Sequence, residues 1–465
     1  MTIKRILAEF LSTKVMNSCL YRPLSADKQL MRILTSETVR QNQSLQLIAS
    51  ENYTSIGVMQ ANGSIFTNKY AEGLPPKTID GPSRRYYGGC ENIDVLESLC
   101  QERALDAYNL DPKVWGVNVQ SYSGSTAVFS AISTLLEPGE KLMGLELKSG
   151  GHLSHGQFTP SGKTLSNTSK FFNCKTYYTG DDGLIDYVSL EEDATEFRPK
   201  MIIVGASAYP RDYDYEKFKQ IADKIWAKLF TDMSHTGGLV SAGTLKNPFQ
   251  FSDLVVTTTH KSLRGPRAAL VFYKREYEEL VDFSIFPRGQ GGAHYNTVAG
   301  VAVALKQANT LEFKEYSYQV VKNAQVLATE LQKFGFKVVT DGTDNHIVLV
   351  DLKTKDISGA KFELLAERVM VSVNKNTIFG DKSAQSPSGI RLGTCAMTSR
   401  DFKETDFVKV AQILSSVCTL AQEVQSTCGT KKLEEFKRKL DNFSEDILKL
   451  KKTVTNFCQD FPIPA

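Results

Sequence analysis

Residues 201 to 235 read MIIVGASAYPRDYDYEKFKQIADKIWAKLFTDMSH, and this stretch decides the fold class. The apolar residues of 201 to 208 run together instead of alternating with polar ones, which is typical of a strand buried on both faces. A stripe of four apolar residues then follows the i, i+3, i+4 and i+7 spacing of a helix that can lie on a sheet. These residues are Phe218, Ile221, Ala222 and Ile225.

Two more apolar runs, residues 227 to 231 and 254 to 259, have the length and composition of further buried strands. Strand, helix and strand in this order predict a mostly parallel sheet with right-handed crossovers, and hence an α/β fold. Ligands bind such sheets beyond the carboxyl ends of the strands. This rule selects Ser207, residues 232 to 235 and residues 260 to 261 as candidate site positions.

The chain beyond about residue 310 predicts a smaller α+β unit. A long helical segment there is followed by strand candidates at 347 to 352 and 369 to 373. A turn-rich segment at 380 to 394 and two amphipathic helices complete the predicted unit.

The composition predicts a soluble protein that acts on small molecules. With 465 residues, 41% of them hydrophobic and 23% charged, the chain is long enough for one large core and a satellite domain. A formal net charge of +3, with no long run of one sign, gives little reason to expect binding to nucleic acid or membrane. The lysines near the C terminus alternate with acidic residues, as on a solvated helix face.

The cysteines and the first residues bear on the compartment. The eight cysteines form no CxxC pair, which predicts reduced thiols, no structural disulfide and no metal site. The opening segment carries Lys4 and Arg5, as a mitochondrial transit peptide would, but Glu9 fits an ordinary amphipathic helix equally well. We expect a cytoplasmic location, with the mitochondrion as the alternative.

Lys261 stands in TTTHK, residues 257 to 261, at a predicted strand end. A lysine there can form an imine with an aldehyde cofactor if burial and neighbours lower its pKa, although most strand-end lysines are solvated surface groups. Asp232 at the neighbouring strand end favours the cofactor, because a pyridine aldehyde needs an anion at its ring nitrogen. His235 could stack on or hydrogen-bond the ring, and Ser207 could reach its phenolic oxygen. Alone, Asp232 would more often be a helix cap and His235 a core histidine.

Two further motifs could bind anions. SYSGST, residues 121 to 126, precedes an apolar helical run, so its backbone N–H groups and the helix dipole suit a phosphate. Arg391 in SGIRLGT offers a planar, bidentate donor for a substrate carboxylate. Either feature alone is more often an ordinary Gly-Ser turn or a surface charge.

Ten blocks of sequence resemble the serine hydroxymethyltransferase family of pyridoxal-phosphate enzymes, and they stand in the family's order. The blocks are LIASENYTS (47 to 55), NKYAEG (68 to 73), RYYGGCE (85 to 91), WGVNVQSYSGS (115 to 125), GGHLSHG (150 to 156), TTTHKSLRGPR (257 to 267), VAGVAVALKQA (298 to 308), DNHIVLVDL (344 to 352), NKNT (374 to 377) and SGIRLGT (388 to 394). Together they extend the resemblance from about residue 21 to the C terminus.

The resemblance implies a fold-type I architecture, with an aspartate-aminotransferase-like large domain and a smaller C-terminal α+β domain. Its divisions would be an N-terminal helical arm at 1 to 50, a pyridoxal-phosphate-binding domain at 51 to 310 and the small domain at 311 to 465. It also implies an obligate homodimer with sites shared between subunits, and such dimers could pair into a tetramer. The implied reaction is reversible transfer of the one-carbon unit of serine to tetrahydrofolate, giving glycine and 5,10-methylenetetrahydrofolate.

Residue roles follow from the resemblance by matching positions. Pyridoxal phosphate would be bound covalently to Lys261, with Asp232 at the pyridine nitrogen, His152 stacked on the ring and tetrahydrofolate as co-substrate. The other implied cofactor contacts are Ser123, Gly124 and Ser125 for the phosphate, Ser207 and His235 for the phenolic oxygen, His260, and Gly291 and Gly292 of the partner subunit.

The implied substrate contacts form a second set. Arg391, Ser50 and Tyr87 match the carboxylate site, and Glu72 beside Tyr70 matches the acid–base group near the serine hydroxyl. The implied catalytic residues are Lys261, Glu72, Asp232, His152, Tyr87 and Thr258. The implied folate contacts are Leu147, Gly151, Leu153 and Asn376.

Four features depart from the family pattern. LPPKTIDGPSR, residues 74 to 84, replaces a shorter turn, which leaves open whether Glu72 keeps its place relative to Tyr86 and Tyr87. Val128 replaces an asparagine, and we expect this to remove a polar partner near the cofactor. Ala293 and Cys395 replace prolines, and we expect two looser loops there.

Two other functions remain open from the sequence. A folate-independent aldolase for β-hydroxy amino acids would use the same lysine chemistry. A degenerate family member could instead retain the dimeric scaffold to bind protein or RNA, and the insertion after Gly73 is the feature that best supports this.

Overall fold

The computed structural model describes residues 22–77, 81–159, 161–381 and 387–464. The opening segment with Lys4, Arg5 and Glu9, together with Cys19, lies outside these residues. The strands are β1 (Leu45–Gln46), β2 (Gly73–Leu74), β3 (Arg84–Arg85), β4 (Trp115–Asn118), β5 (Lys141–Leu145), β6 (Asn173–Tyr177), β7 (Met201–Val204), β8 (Lys228–Asp232), β9 (Leu254–Thr258), β10 (Ala269–Lys274), β11 (Lys337–Val338), β12 (Ile347–Asp351), β13 (Val371–Ser372), β14 (Asn374–Asn376) and β15 (Gly389–Gly393).

The α-helices of the described ranges alternate with these strands in the first two thirds of the chain. They are α1 (Lys28–Gln43), α2 (Ile56–Asn62), α3 (Glu91–Ala107), α4 (Gly124–Leu135), α5 (Asn167–Phe171), α6 (Tyr187–Phe197), α7 (Tyr215–Lys224), α8 (Gly237–Ser241), α9 (Glu278–Ile285), α10 (Tyr295–Ala308), α11 (Leu311–Lys333), α12 (Gly359–Arg368), α13 (Cys395–Ser399), α14 (Glu404–Ser426), α15 (Leu433–Lys439) and α16 (Ser444–Gln459).

Seven strands form the large sheet, in the order β4-β10-β9-β8-β7-β5-β6. β10 is antiparallel to both of its neighbours, and the other neighbouring pairs are parallel. The α/β fold with a mostly parallel sheet is therefore confirmed. Because β8 lies between β7 and β9, the carboxyl ends of these three strands meet at one edge.

Helix α7 connects β7 to β8 and covers one face of the sheet. Phe218, Ile221 and Ala222 are buried in a core cluster with Ile202 of β7 and Leu229 of β8. The apolar stripe read from the sequence is therefore the face that packs on the sheet.

A second sheet lies in the C-terminal part of the chain, with four antiparallel strands in the order β11-β12-β15-β14. Its core also takes in Leu45 and Leu47, because β1 pairs with β13. Helix α11 joins the two cores: Phe313 packs with the cluster of the large sheet and Leu327 with that of the small one. The exact domain boundaries stay a prediction.

The C-terminal end differs in one respect from the sequence-based expectation. After residue 400 the described chain forms three helices, α14, α15 and α16, where two amphipathic helices were predicted. A 3-10 turn at Leu440–Phe443 divides the last apolar pattern in two, with the Leu440 side chain buried in the core. None of the helices in the described ranges is long and apolar enough to cross a membrane.

Candidate active site

Three strand ends of the large sheet open into one cavity of about 510 Å³. Lys261 follows β9, Asp232 is the last residue of β8, and Ser207 follows β7. Most of the cofactor and substrate residues inferred from the sequence line this cavity, as the rule for parallel sheets predicts. They are Ser50, Ser123, Gly124, Ser125, His152, Ser207, Asp232, His235, Thr258, His260, Lys261 and Arg391.

The Lys261 amine is buried at the base of the cavity. Burial disfavours the charged form and lowers the pKa of this amine to about 8, although the Asp232 carboxylate acts in the opposite direction. A usable fraction of the amine is therefore neutral near physiological pH. A neutral amine is the form that attacks an aldehyde carbon.

Asp232 is held as a carboxylate by its hydrogen bonds. Its Oδ1 accepts from the backbone N–H of Ser234 at 3.0 Å and from the Ser234 hydroxyl at 2.5 Å. Its Oδ2 lies 2.8 Å from Nε2 of His155. Burial alone would raise the pKa of Asp232, but His155 and Ser234 together hold it well below its usual value. The cavity therefore contains a fixed negative charge.

His155 is a site residue that the sequence reasoning missed. It stands three residues after His152, across the 3-10 turn Leu153–His155, and its side chain is fully buried. The spacing in HLSH could have suggested that both rings face one site. Its partner Asp232 is far away in sequence, so the contact itself could not be read from the pattern.

His152 lies beside this pair. Its Nδ1 is 2.7 Å from the Ser154 hydroxyl, and burial lowers the pKa of His152 to about 4, so the ring is neutral at pH 7. Ligand atoms of His152, His155 and Asp232 lie within 4.8 Å of one another, a spacing that could suit a metal ion. However, Lys261 and Arg391 line the same cavity, and their positive charges favour an anionic ligand over a cation.

The start of helix α4 forms the end of the cavity that suits a phosphate. Ser123 precedes the helix, and Gly124 and Ser125 form its first turn, where backbone N–H groups have no partner within the helix. A Cβ atom on Gly124 would lie only 2.6 Å from Cγ2 of Thr258. Glycine is therefore needed for the helix to approach β9 so closely, and the loop fits an anion.

Arg391 reaches the cavity from β15 of the small sheet. Its Nη1 donates to the carbonyl oxygen of Ser207 at 2.7 Å, and its Nη2 donates to Oδ1 of Asn374 at 2.8 Å. The buried Nε has no hydrogen-bond partner among the residues that the structure describes. Burial lowers the pKa of Arg391 to about 10, which still leaves it charged at neutral pH. An anionic group such as a carboxylate would satisfy the remaining donor capacity.

His235 is buried at the cavity wall beside His346, a residue that the sequence reasoning left without a role. Nδ1 of His235 lies 3.3 Å from Nε2 of His346, and the two rings are nearly parallel. Burial lowers the pKa of His235 well below its usual value, so the ring is neutral. It can therefore offer the cavity a single ring nitrogen as donor or acceptor.

The remaining acid–base residues form a separate group that does not line this cavity. Glu72 accepts hydrogen bonds from the hydroxyls of Tyr70 at 3.2 Å and Tyr87 at 3.3 Å. The two tyrosines are 58% and 43% exposed. Gly291 and Gly292 lie against the same carboxylate, because a Cβ on either would meet a Glu72 side-chain atom within 3.4 Å. The residues inferred from the sequence thus divide into a buried cavity and an exposed Glu72 cluster.

The insertion after Gly73 does not displace Glu72. Gly73 pairs with Arg85 and Leu74 with Arg84 in an antiparallel ladder, which brackets the insertion. The backbone N–H of Tyr86 donates to the carbonyl oxygen of Glu72 at 3.1 Å. Glu72 and the tyrosine pair therefore remain adjacent.

The implied folate residues lie outside the cavity. Leu147 and Leu153 belong to short 3-10 turns, and Gly151 packs so closely that a Cβ would lie 1.8 Å from the Leu145 carbonyl oxygen. Asn376 is on β14, two residues from the asparagine that contacts Arg391. Their contacts with folate stay a prediction.

The three substituted positions are all buried. Val128 lies in a core cluster with Ile203 and Val256 and does not line the cavity, so the expected loss of a polar contact near the cofactor is not supported. Ala293 and Cys395 both belong to the cluster between the sheet and α10, and Cys395 is the first residue of α13. Greater mobility at these two sites stays a prediction.

Comparison with known proteins agrees with this arrangement. The family model described as serine hydroxymethyltransferase matches residues 24–414. Serine hydroxymethyltransferase 4 of Arabidopsis thaliana is 46% identical over 458 residues, which cover 95% of each chain. A mitochondrial serine hydroxymethyltransferase of Candida glabrata is 47% identical, covering 94% of this chain and 93% of the relative. A probable cytosolic serine hydroxymethyltransferase of Schizosaccharomyces pombe is 46% identical, covering 96% and 98%. With its sheet, cavity and sequence in agreement, the chain belongs to the serine hydroxymethyltransferase family.

Proposed function

We propose that this protein is a pyridoxal-phosphate-dependent glycine hydroxymethyltransferase, which transfers the one-carbon unit of serine reversibly to tetrahydrofolate. The observation that carries the proposal is the pairing of Lys261 and Asp232 in one buried cavity. One group is an amine of which burial makes a usable fraction neutral near physiological pH, and the other is a carboxylate that hydrogen bonds keep charged.

The cavity fits pyridoxal phosphate by the chemistry of its donors. Lys261 would bond the aldehyde carbon, Asp232 would hold a proton on the ring nitrogen, and His152 would cover one face of the ring. When bound, the cofactor supplies a protonated ring that accepts the electron pair of a breaking bond. The remaining cofactor contacts would be the N–H groups at Ser123, Gly124 and Ser125, the side chains of Ser207 and His235, and His260.

Arg391 and Glu72 would act on the amino acid itself. Arg391, with Ser50 and Tyr87, would bind the serine carboxylate and so orient the side chain of serine. Glu72, held between Tyr70 and Tyr87, would accept or return the proton of the serine hydroxyl. Thr258, which packs against Gly124 beside the lysine, is proposed as a further catalytic residue.

The Glu72 cluster would complete the site of a second copy of the chain. Glu72, Gly291 and Gly292 do not line the cavity of their own chain, so a partner subunit has to contribute them if they act there. Helix α1 also exposes an apolar face made of Leu30 and its neighbours at i+3 and i+4, which suits burial in a homodimer. Pairing of such dimers into a tetramer is a further prediction, and no nucleic-acid or membrane partner is proposed.

The proposal also covers the folate contacts and the cellular location. Leu147, Gly151, Leu153 and Asn376 are proposed to contact tetrahydrofolate. Named relatives include cytosolic proteins, such as that of Schizosaccharomyces pombe, and mitochondrial ones, such as that of Candida glabrata. We propose the cytoplasm, with the mitochondrion as the alternative, and imaging of a fluorescent fusion would distinguish the two.

The proposed function is tested by assaying the purified protein with pyridoxal phosphate, serine and tetrahydrofolate. We expect visible absorbance on addition of the cofactor, and glycine formation that depends on tetrahydrofolate. Lys261→Ala should abolish both, whereas Lys274→Ala, at the opposite end of a neighbouring strand, should preserve both. Equal glycine formation without folate would favour an aldolase, and a protein that ignores the cofactor would favour a binding scaffold.

A further inference from the structure

The backbone on both sides of Glu72 is held by one buried arginine. Nη1 of Arg85 donates to the carbonyl oxygen of Gly73 at 2.7 Å and to that of Ala71 at 3.4 Å. The Arg85 side chain is 0% exposed. These two carbonyls flank Glu72 directly, so a shift of the guanidinium would move the backbone from which the Glu72 carboxylate extends.

The guanidinium is itself held by acidic groups of α3. Its Nη2 lies 2.8 Å from Oε2 of Glu97, whose side chain is also 0% exposed, and its Nε lies 2.8 Å from Oδ1 of Asp94. Gln120 bridges the pair to the backbone, because its amide nitrogen donates to Oε1 of Glu97 at 2.8 Å and to the carbonyl oxygen of Gly73 at 2.9 Å. The large sheet, α3 and the Glu72 segment therefore share one buried network.

Tyr295 of α10 closes the network on the other side. Its hydroxyl accepts from Nη1 of Arg85 at 2.9 Å and donates to the carbonyl oxygen of Ala71. The arginine also lies over the tyrosine ring, with Cζ 5.6 Å from its centroid. Each of the three guanidinium nitrogens thus has a hydrogen-bond partner, and none of the network residues lines the cofactor cavity.

From this geometry we propose that Arg85 is a positioning residue that keeps the Glu72 carboxylate in place for proton transfer. The inference rests on the proposed function, because Arg85 can position Glu72 for proton transfer only if Glu72 is the acid–base residue of that reaction. A buried ion pair adds little net stability but specifies a unique arrangement of its neighbours in some proteins. Here that arrangement is the fixed backbone at Ala71 and Gly73. This backbone sets where the Glu72 carboxylate lies relative to the serine hydroxyl.

Arg85→Lys is the direct test. A lysine keeps the charge for Glu97 but cannot reproduce the planar fork that holds two carbonyls and two carboxylates at once. A displacement of about 1 Å in a catalytic group costs on the order of a hundredfold in rate. We therefore expect kcat for serine cleavage with tetrahydrofolate to fall by about tenfold to a hundredfold. The cofactor absorbance should stay close to wild type, because the cavity is untouched. The KM for serine should rise by a smaller factor than kcat falls, because Arg391 and Ser50 still bind the carboxylate even if Tyr87 shifts with Glu72.

Tyr295→Phe is the milder second variant and decides the matter if Arg85→Lys fails to fold. It retains the Arg85–Glu97 pair and removes only the hydroxyl that contacts Ala71, so kcat should fall by several-fold with KM unchanged. The matched control is Arg400→Lys. Arg400 is also buried and donates to five backbone carbonyls, but these belong to the end of α1 and the end of α16 and not to the Glu72 segment. Its replacement should lower the melting temperature and leave kcat unchanged.

The outcomes separate the inference from the function on which it rests. If the wild-type protein forms no glycine, the proposed function fails. If the wild type is active and Arg85→Lys or Tyr295→Phe keeps a wild-type kcat, the positioning role is wrong. Loss of cofactor absorbance in step with kcat in Tyr295→Phe would also overturn it, since that result would indicate general unfolding.

Discussion

Burial favours the neutral form of both Lys261 and Asp232, yet only the amine gains a neutral population near physiological pH. For the amine, loss of water favours the neutral form and no strong hydrogen bond opposes it, so the pKa falls to about 8. For the carboxylate, loss of water would also favour the neutral form, but His155 and Ser234 offset this and hold the pKa below its usual value. A nucleophile and an anion thus coexist in one cavity.

The lowered pKa of Lys261 predicts how cofactor binding depends on pH. The neutral amine gains population as pH rises through about 8, so the rate at which the cofactor-free protein binds pyridoxal phosphate should increase to that point and then level off. Stopped-flow absorbance measures the rate, and N-acetyllysine serves as the exposed control. The Asp232 carboxylate raises this pKa, so Asp232→Asn should move the midpoint to lower pH. A midpoint near the ordinary value of 10.5 would show that the amine is not buried.

At the scale of elements, the hairpin of β2 and β3 shows how an insertion can be accommodated beside a candidate site. Two residue pairs form the ladder, and Gly73 in it has a φ of +99°, where a Cβ would lie 2.2 Å from the Arg84 carbonyl oxygen. The position therefore requires glycine. The described chain leaves the ladder at Leu74 and rejoins it at Arg84, so Glu72 lies on the other side of the ladder residue Gly73 from the insertion.

Shortening this hairpin should therefore preserve activity. Replacing residues 75 to 83 with the two-residue turn Asn-Gly keeps the ladder beside Glu72. Loop length has a small effect on folding free energy, so the shortened protein should fold. Its kcat should therefore stay within about twofold of wild type. Gly73→Ala, a single change inside the ladder, should lower kcat far more. Inactivity of the shortened protein with normal cofactor absorbance would show that the insertion itself takes part in the reaction.

At the scale of the whole molecule, the separation between the buried cavity and the Glu72 cluster is the dominant feature. Lys261 and Asp232 belong to one group and Glu72 to the other, within a single chain. Under the proposed function, a complete site would combine surfaces from two subunits. This would explain why the side chains of the Glu72 cluster remain exposed in a single chain.

Mixing two inactive variants tests this arrangement. Lys261→Ala keeps an intact Glu72 cluster, and Glu72→Gln keeps an intact cavity. Random re-pairing makes half of the dimers hybrid, each with one complete site, so about a quarter of wild-type activity should return. Lys261→Ala mixed with Asp232→Asn is the control, because both changes fall in the cavity and no hybrid has a complete site. A mixture of the first pair that stays inactive would show that Glu72 acts within its own chain.

The sequence by itself determined the parallel sheet and the meeting of Lys261, Asp232 and Ser207 at one edge. Apolar runs and helical spacing are local patterns, and the rule that ligands bind beyond parallel strand ends needs no coordinates. Local motifs also indicated Arg391 and the phosphate-type loop as anion sites, and family resemblance assigned their ligands.

Only the tertiary structure decided which distant residues touch. The contact of His155 with Asp232, the burial of Val128 in the core and the clamp of Arg85 on the Glu72 backbone each join parts of the chain that no local pattern relates. The division into a buried cavity and an exposed Glu72 cluster likewise depends on how distant parts of the chain pack together. The physical reason is that hydrogen bonds and desolvation depend on distances through space, which the fold sets by packing helices and sheets together.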